Sequence, residues 1–267
     1  MLGLGNSLVG GVVPSEFTPE SISNIALWLA VGTNITADEN SAGSGVTHST
    51  SAGDMADGDI VNAWNAAGDT SINAVQTTTG DKPRWETDAA DLGGVKSAGG
   101  NKYFNLSSNI TFDANTDFTI VMRFKCTNFG AVRALLGDDD AEFIRLQDAD
   151  TIRVKTDGTT SDFDSGTALD TDKYITVIIV RSDGSTGNIN IFVRGEDSGY
   201  FDGTATGTAW GSEAQDNEEI VVSNIMSQAD DSADLLGFVK DVIIYDGTAV
   251  TSGQREQLFD YIEAQDY

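Results

Sequence analysis

Apolar and polar residues alternate with a period of two along much of the chain, most clearly in its second half. Asp117-Phe118-Thr119-Ile120-Val121-Met122-Arg123-Phe124, Ala141-Glu142-Phe143-Ile144-Arg145-Leu146 and Thr151-Ile152-Arg153-Val154-Lys155-Thr156 each read as a strand. Tyr174-Ile175-Thr176-Val177-Ile178-Ile179-Val180-Arg181 is the most apolar run. Asn188-Ile189-Asn190-Ile191-Phe192-Val193-Arg194 follows the turn Ser182-Asp183-Gly184-Ser185, so the pair predicts a hairpin. Glu219 to Ile225 and Leu235 to Tyr245 complete the set. From Val242 to Tyr245 the last run is apolar on both faces, as in a strand covered on both sides. A strict period of two puts Phe238, Val242 and Ile244 on one face and Val239, Ile243 and Tyr245 on the other. Lys240 and Asp241 then fall one on each face, which lets both faces near the start reach water.

The first half is less regular. Ile22, Ile25, Leu27 and Leu29 flank Trp28 in a short strand-like run, a natural neighbour for the final strand. Val31 to Asp59 is polar and rich in Gly, Ser, Asp and Asn, and predicts surface loop with one short strand at Gly45 to Ser49. Short segments follow at Val61-Asn62-Ala63-Trp64-Asn65, Asn73-Ala74-Val75-Gln76, Lys82-Pro83-Arg84-Trp85 and Tyr103-Phe104-Asn105-Leu106, each ended by turn residues. One helix is predicted. Thr251-Ser252-Gly253-Gln254 has the form of a capping box, and Leu258, Phe259 and Ile262 make one apolar stripe after it. Many short strands, with no helical pattern before Thr251, argue for a β-sandwich.

Composition narrows the partners. Fifteen Lys+Arg against 42 Asp+Glu give a formal net charge of −27. Such a surface repels phosphate, so nucleic acid is a poor partner, as is an anionic membrane surface. No run of 18 apolar residues is present, which excludes a transmembrane helix and membrane insertion by that route. The opening stretch Met1 to Val13 is apolar and Gly-rich but lacks the basic start of a signal peptide. Its Leu2, Leu4, Leu8, Val9, Val12 and Val13 have two readings: an arm that is disordered or packs on its own domain, or an anchor that docks on another subunit.

Candidate chemistry is sparse. Cys126 is the sole cysteine, so no intrachain disulfide forms, and its place in a strand-like run gives it the role of a small buried hydrophobe. His48 is the sole histidine and lies in a loop-like polar run: multi-His zinc sites lack the residues, and a Ser/His/Asp triad would have to use this one residue, which its setting disfavours. Asp138-Asp139-Asp140 is the densest acidic turn. It reads either as a solvated turn, favoured because no Gly-paced D-x-D-x-D-G loop is present, or as a Ca2+ site. No other cofactor is indicated. Of the tryptophans, Trp28 and Trp64 sit in apolar strand contexts and read as core. Trp85 is open. Trp210, in the loop-like run Thr204 to Gly211, is the exposed candidate for stacking on a sugar or anchoring an interface.

Five pieces in order resemble the concanavalin A-like lectin/glucanase (laminin-G-like) jelly roll. Leu27-Trp28-Leu29 looks like its opening tryptophan strand. Val61-Asn62-Ala63-Trp64-Asn65 with Gly68 looks like its second tryptophan segment, with Ala67 where Ser is usual. Ala74-Val75-Gln76 and Lys82-Pro83-Arg84-Trp85, then Asp117-Phe118-Thr119-Ile120, resemble its middle strands. Ile243-Ile244-Tyr245-Asp246 with Thr251 to Tyr261 resembles its closing strand and helix. The resemblance implies an all-β fold: a two-sheet antiparallel jelly-roll β-sandwich with a short C-terminal helix. Residues 1–20 are then an N-terminal anchoring arm and residues 21–267 the jelly-roll domain.

Met1-Leu2-Gly3-Leu4-Gly5-Asn6-Ser7-Leu8 ahead of such a domain resembles virion structural proteins of tailed phages. That likeness implies a non-enzymatic protein at the virion surface, a capsid decoration protein held by its arm to other capsid or tail proteins, and a homo-oligomer. The alternative it implies is a carbohydrate-binding tail or fibre module for host attachment, with surface glycans as partners. The glycan hydrolases of this fold class use paired carboxylates, which the family-16 type carries as E-x-D-x-E on one strand face. Here Glu86-Thr87-Asp88 starts such a string, but Ala90 replaces its third acid, so no catalytic residue is assigned.

Overall fold

The structure, a computed structural model, describes residues 17–31, 33–38, 47–51, 55–88, 91–157, 159–165, 168–171, 173–182, 188–195, 208–214, 218–229 and 233–265. The candidate anchor residues Leu2, Leu4, Leu8, Val9, Val12 and Val13 lie outside these.

Eighteen strands and one α-helix form among the described residues. The first nine strands are β1 (Ile25–Ala30), β2 (Thr33–Asp38), β3 (Thr47–Ser51), β4 (Ile60–Trp64), β5 (Ala74–Val75), β6 (Arg84–Asp88), β7 (Asp91–Ala98), β8 (Phe104–Phe112) and β9 (Phe118–Cys126). The remainder are β10 (Arg133–Gly137), β11 (Phe143–Leu146), β12 (Thr151–Lys155), β13 (Thr160–Asp164), β14 (Tyr174–Ser182), β15 (Asn188–Gly195), β16 (Thr208–Ala214), β17 (Ile220–Ile225) and β18 (Leu236–Asp246), followed by α1 (Ser252–Ala264).

Every pairing is antiparallel, and together they make two layers. One runs β16-β15-β14-β9-β18, and the far edge of β18 is shared by β1 and β7. The other runs β13-β12-β11-β10-β17-β8-β5-β4-β2-β3. The expected two-sheet sandwich is therefore present, with one addition. β6 pairs with β7 and touches β4 at Arg84↔Ile60, so the layers join into one continuous sheet at that corner.

The main core fills the space between the layers. Leu27, Leu29, Trp64, Trp85, Phe104, Phe112, Phe124, Ile144, Leu146, Ile152, Val154 and Val242 all belong to it. A second apolar cluster lies on the outer side of the first layer, where Leu258, Phe259 and Ile262 of α1 cover Val121, Ile178, Ile243 and Tyr245. The helix begins as the sequence requires: the Thr251 hydroxyl accepts from the Gln254 N–H at 3.3 Å, and the Thr251 N–H donates to Gln254 Oε1 at 2.9 Å. Trp28 and Trp64 are core, as expected, and Trp85 joins them.

Two expectations need correction. Val31 to Asp59 is not loop throughout, because β2 forms there and pairs with β3 and β4. Only Ile35 and Ala37 of that strand are buried apolar residues, too few to stand out from a polar background. In β18 the period of two breaks at a bulge between Val239 and Asp241. Val239 therefore joins Val242 and Ile244 in the main core, and Phe238 leaves that face. Lys240 and Asp241 do not reach water; each is 2% exposed. Lys240 lies over the Tyr174 ring, 4.3 Å from its centroid, and Lys125 lies 4.5 Å from the Phe238 centroid, so rings take the place of solvent around these cations.

One buried cation closes an end of the sandwich. Arg181 of β14 is fully buried beside the Phe118 ring, 4.7 Å from its centroid. Its guanidinium donates to three backbone carbonyls: Thr116 O and Glu218 O at 2.7 Å and Asp113 O at 2.8 Å. The side chain thereby ties the turn before β9 to the segment entering β17. Arg181→Met removes the donors of three part-buried hydrogen bonds to backbone carbonyls. Charge-assisted bonds of this kind set the expected loss at about 3 kcal/mol, net of the guanidinium's own desolvation. Urea unfolding of the full chain measures it, and an unchanged midpoint would contradict the assigned role.

Candidate functional site

The polar features of the second layer converge at its β10–β11 corner. Ile144 and Leu146 of β11 and Ile152 and Val154 of β12 enter the core, so Phe143, Arg145, Arg153 and Lys155 take the outward face. Register sets Arg145 opposite Arg153, Arg153 opposite Asp162, and Phe143 opposite Lys155. Arg153 holds Asp162 with two bonds of 2.7 Å, Nε to Oδ1 and Nη2 to Oδ2. Phe143 is 4% exposed, because the Arg145 guanidinium lies 4.3 Å and the Lys155 ammonium 5.7 Å from its ring centroid. This ring is thus not an open stacking platform; the face presents guanidinium in its place.

A backbone detail brings a further residue in. Met226, immediately after β17, takes a φ of 72°, a left-handed turn that costs a non-glycine residue about 1 kcal/mol or more. The chain then crosses Gly137 at the end of β10 so closely that a Cβ there would lie 2.3 Å from the Gln228 carbonyl oxygen. A glycine at 137 is required for that approach. Gln228, 4% exposed, is left with its amide between two partners: Nε2 donates to Asp140 Oδ1 at 2.6 Å, and Oε1 accepts from Arg145 Nη1 at 2.5 Å. Arg145 Nε and Nη2 both donate to Gln147 Oε1, at 3.2 and 3.0 Å. Asp140, Gln228, Arg145 and Gln147 form one continuous network.

The acidic turn divides in the structure. Asp140 turns to Gln228, while Asp138 and Asp139 meet Glu142, the three offering carboxylate oxygens within 4.8 Å of one another. Asp139 Oδ1 shapes the turn by accepting from the N–H groups of Ala141 and Glu142, at 2.6 and 3.1 Å. Glu142 is 8% exposed, and its Oε1 is buried without a hydrogen-bond partner. Burial, then the charges of Glu219, Asp139 and Asp138, push its carboxyl from 4.5 up to about 7, with only the Val221 N–H pulling the other way. An orphaned buried oxygen among carboxylates fits a hard divalent cation such as Ca2+, which takes oxygen ligands and would satisfy it. Asp138, Asp139 and Glu142 are the residues that would hold it. Sequence pattern pointed to the turn but not to Glu142, whose raised pKa depends in part on Glu219 and Val221, where the chain enters β17.

The other sequence candidate is placed differently. Trp210 lies on β16, beside β15, and not in a loop; Ala209 pairs with Phe192 and Gly211 with Ile191. Its side chain lies outside the described residues.

A raised Glu142 pKa has a defined effect on stability. Between pH 4.5 and about 7 the folded protein retains a proton that the unfolded chain has released, so this group's contribution is full below pH 4.5 and is lost as pH rises through about 7. Glu142→Gln keeps an acceptor for Val221 and carries no charge. At pH 8 it is expected to be more stable than the parent by about 2 kcal/mol, and at pH 4 equal to it. Urea titrations at the two pH values read the difference, and parallel curves at both would contradict the assignment.

Comparison with known proteins agrees with this architecture. The Concanavalin A-like lectin/glucanases superfamily profile matches residues 98–254, more than half of the chain. No curated protein matches it. Among solved structures, Trypanosoma rangeli sialidase in complex with 2,3-difluoro-KDN aligns at TM-score 0.51 and 13% identity, over 94% of this chain and 36% of the sialidase. The chain therefore spans about a third of that protein. Domain 4 of a GH43 extracellular arabinanase from Geobacillus stearothermophilus, in complex with arabinotriose, aligns at TM-score 0.47 and 12% identity, covering 88% of this chain and 98% of that one. The Ruminococcus gnavus IT-sialidase CBM40 bound to α2,3-sialyllactose gives TM-score 0.40 at 14% identity, covering 58% and 95%. With two antiparallel layers, a closing strand and helix, and a matching profile over most of β8 to α1, the chain belongs to the concanavalin A-like lectin/glucanase superfamily.

Proposed function

We propose that this chain is a non-catalytic carbohydrate-binding module that serves host attachment on a phage tail or fibre, and that its site is the outward face of the second layer at the β10–β11 corner. One observation carries the reading: the orphaned Oε1 of Glu142, grouped with the carboxylates of Asp138 and Asp139, sits in the same turn as Asp140, which begins the hydrogen-bonded network of Gln228, Arg145 and Gln147. A cation held by three carboxylates supplies further coordination positions suited to sugar hydroxyls. The network beside it offers fixed donors and acceptors at the spacing of neighbouring side chains on a strand. Gln228 is held at both ends of its amide, so little rotamer entropy is lost when a ligand binds. Membership of a superfamily of lectins and glucanases supports a saccharide as ligand. The lack of an E-x-D-x-E string supports binding without hydrolysis.

The virion setting rests on the opening octapeptide and the acidic balance. In this reading residues 1–20 attach the module to other virion proteins, and several copies present their glycan faces together. The specific polar corner favours this function over a purely structural capsid decoration role.

Calcium at 100 times its dissociation constant is expected to stabilise the full chain by about 2.7 kcal/mol, a rise in melting temperature of about 5–10 °C. Asp138→Asn with Glu142→Gln is expected to abolish the rise. A glycan array probed in Ca2+ and again in chelator tests the function itself: binding that chelator weakens supports the proposal, and an array without any bound glycan refutes it.

A further inference from the structure

The outward face carries a cation that the chain does not neutralise. The chain has a formal net charge of −27, and carboxylates neutralise two of its arginines closely. Arg153, one strand away, takes Asp162 in a two-point pair, and Arg194 takes both Asp260 and Glu263. Arg145 differs from both. Its three hydrogen bonds go to the amide oxygens of Gln147 and Gln228, and among the described residues no carboxylate lies within ion-pair distance of it. Asp140 reaches it only through Gln228.

Amide partners orient a guanidinium without cancelling its charge. Of its five N–H groups three are used by Gln147 and Gln228, and two remain on a side chain that is half-buried and faces outward. The Phe143 ring supports the group from below at 4.3 Å. Burial and the neighbouring Arg153 charge disfavour its charged form, against the opposing pull of Asp140 and Asp162, so an added anion would relieve a real electrostatic cost. A rigid planar fork matches a carboxylate better than it matches a hydroxyl.

We propose that Arg145 makes this face selective for saccharides that bear a carboxylate, which the guanidinium receives on its two remaining N–H groups. The inference rests on the reading of the corner as a glycan site. It adds the ligand's chemical class and the residue that selects it. Gln228 links the guanidinium to Asp140 of the acidic turn, so a divalent cation held by that turn would offset its repulsion of a bound carboxylate.

The test uses the full chain on an array of hexuronate and nonulosonate glycans, each paired with its methyl ester, together with sulfated and neutral glycans. The parent is expected to bind acids at least about ten-fold tighter than the matching esters, as a site built around a charged hydrogen-bonding group does. Arg145→Gln is expected to bring acids down to the level of their esters, while Arg255→Gln on α1, which packs against the other layer, leaves the preference in place. Thermal melts report whether each variant is folded. Should the Gln variant be unfolded, Arg145→Lys reads the same quantity: it keeps the charge, loses the fork, and is expected to lose most of the preference. Equal binding of acids and esters by the parent, or a preference that survives loss of the guanidinium, overturns the inference and leaves the glycan reading standing. Equal binding of sulfated and carboxylated glycans overturns the carboxylate assignment. An array with no bound glycan overturns both.

Discussion

The fold depends on how β18 divides its second edge. Along one side it pairs with β9 for almost its whole length, from Gly237↔Cys126 to Asp246↔Phe118. On the other side its first half pairs with β7 and its second half with β1. The changeover falls at the bulge near Lys240, which turns the strand enough for two different partners to share one edge. Through β7 and β6 the hydrogen bonding continues into the second layer, and through β1 the start of the described chain is bound to its end. Close approach is essential here. A Cβ at Gly237 would lie 1.8 Å from the Lys125 carbonyl oxygen, so only glycine lets β18 seat against β9.

Burial on both faces of that central unit has a cost that the structure meets locally. Arg123, Lys125 and Lys240 are almost wholly buried on the outer face, on a chain that is otherwise strongly acidic. Aromatic rings of Tyr174 and Phe238 and the Thr176 hydroxyl supply part of what water would have given them. Arg181 uses backbone carbonyls in the same way at the other end. Cations thus serve the first layer as structural elements. In the second layer Arg145 is held by amides instead, which preserves its charge for a ligand.

The candidate site and the core share strands β11 and β12. Alternation along those strands sends Ile144, Leu146, Ile152 and Val154 inward and leaves Phe143, Arg145, Arg153 and Lys155 outward, so the site's spacing is set by the packing beneath it. A site of this kind is rigid because its positions are pleat positions. The other contribution comes from the turn 138–142, whose shape the Asp139 side chain fixes by hydrogen bonds to its own backbone.

Local signals were enough to specify several features. Period-two patterning marked β9, β11, β12, β14, β15 and β18. The Thr251–Gln254 box and the Leu258, Phe259 and Ile262 stripe marked α1, and the apolar contexts of Trp28 and Trp64 marked them as core. Those features rest on interactions between residues near in sequence or on burial of a repeated face, and both leave a periodic trace. What depended on distant segments left none. β2 carries only two buried apolar side chains; the β18 bulge arises from a change of partner; Trp210 lies on a strand only because β15 offers an edge to it. The raised pKa of Glu142 depends in part on Glu219 and Val221, where the chain enters β17, and Gln228 reaches Arg145 because Met226 turns the chain across Gly137. A chain's own pattern records which face of a segment is buried, whereas which segments meet at a site is settled by packing over long sequence separations.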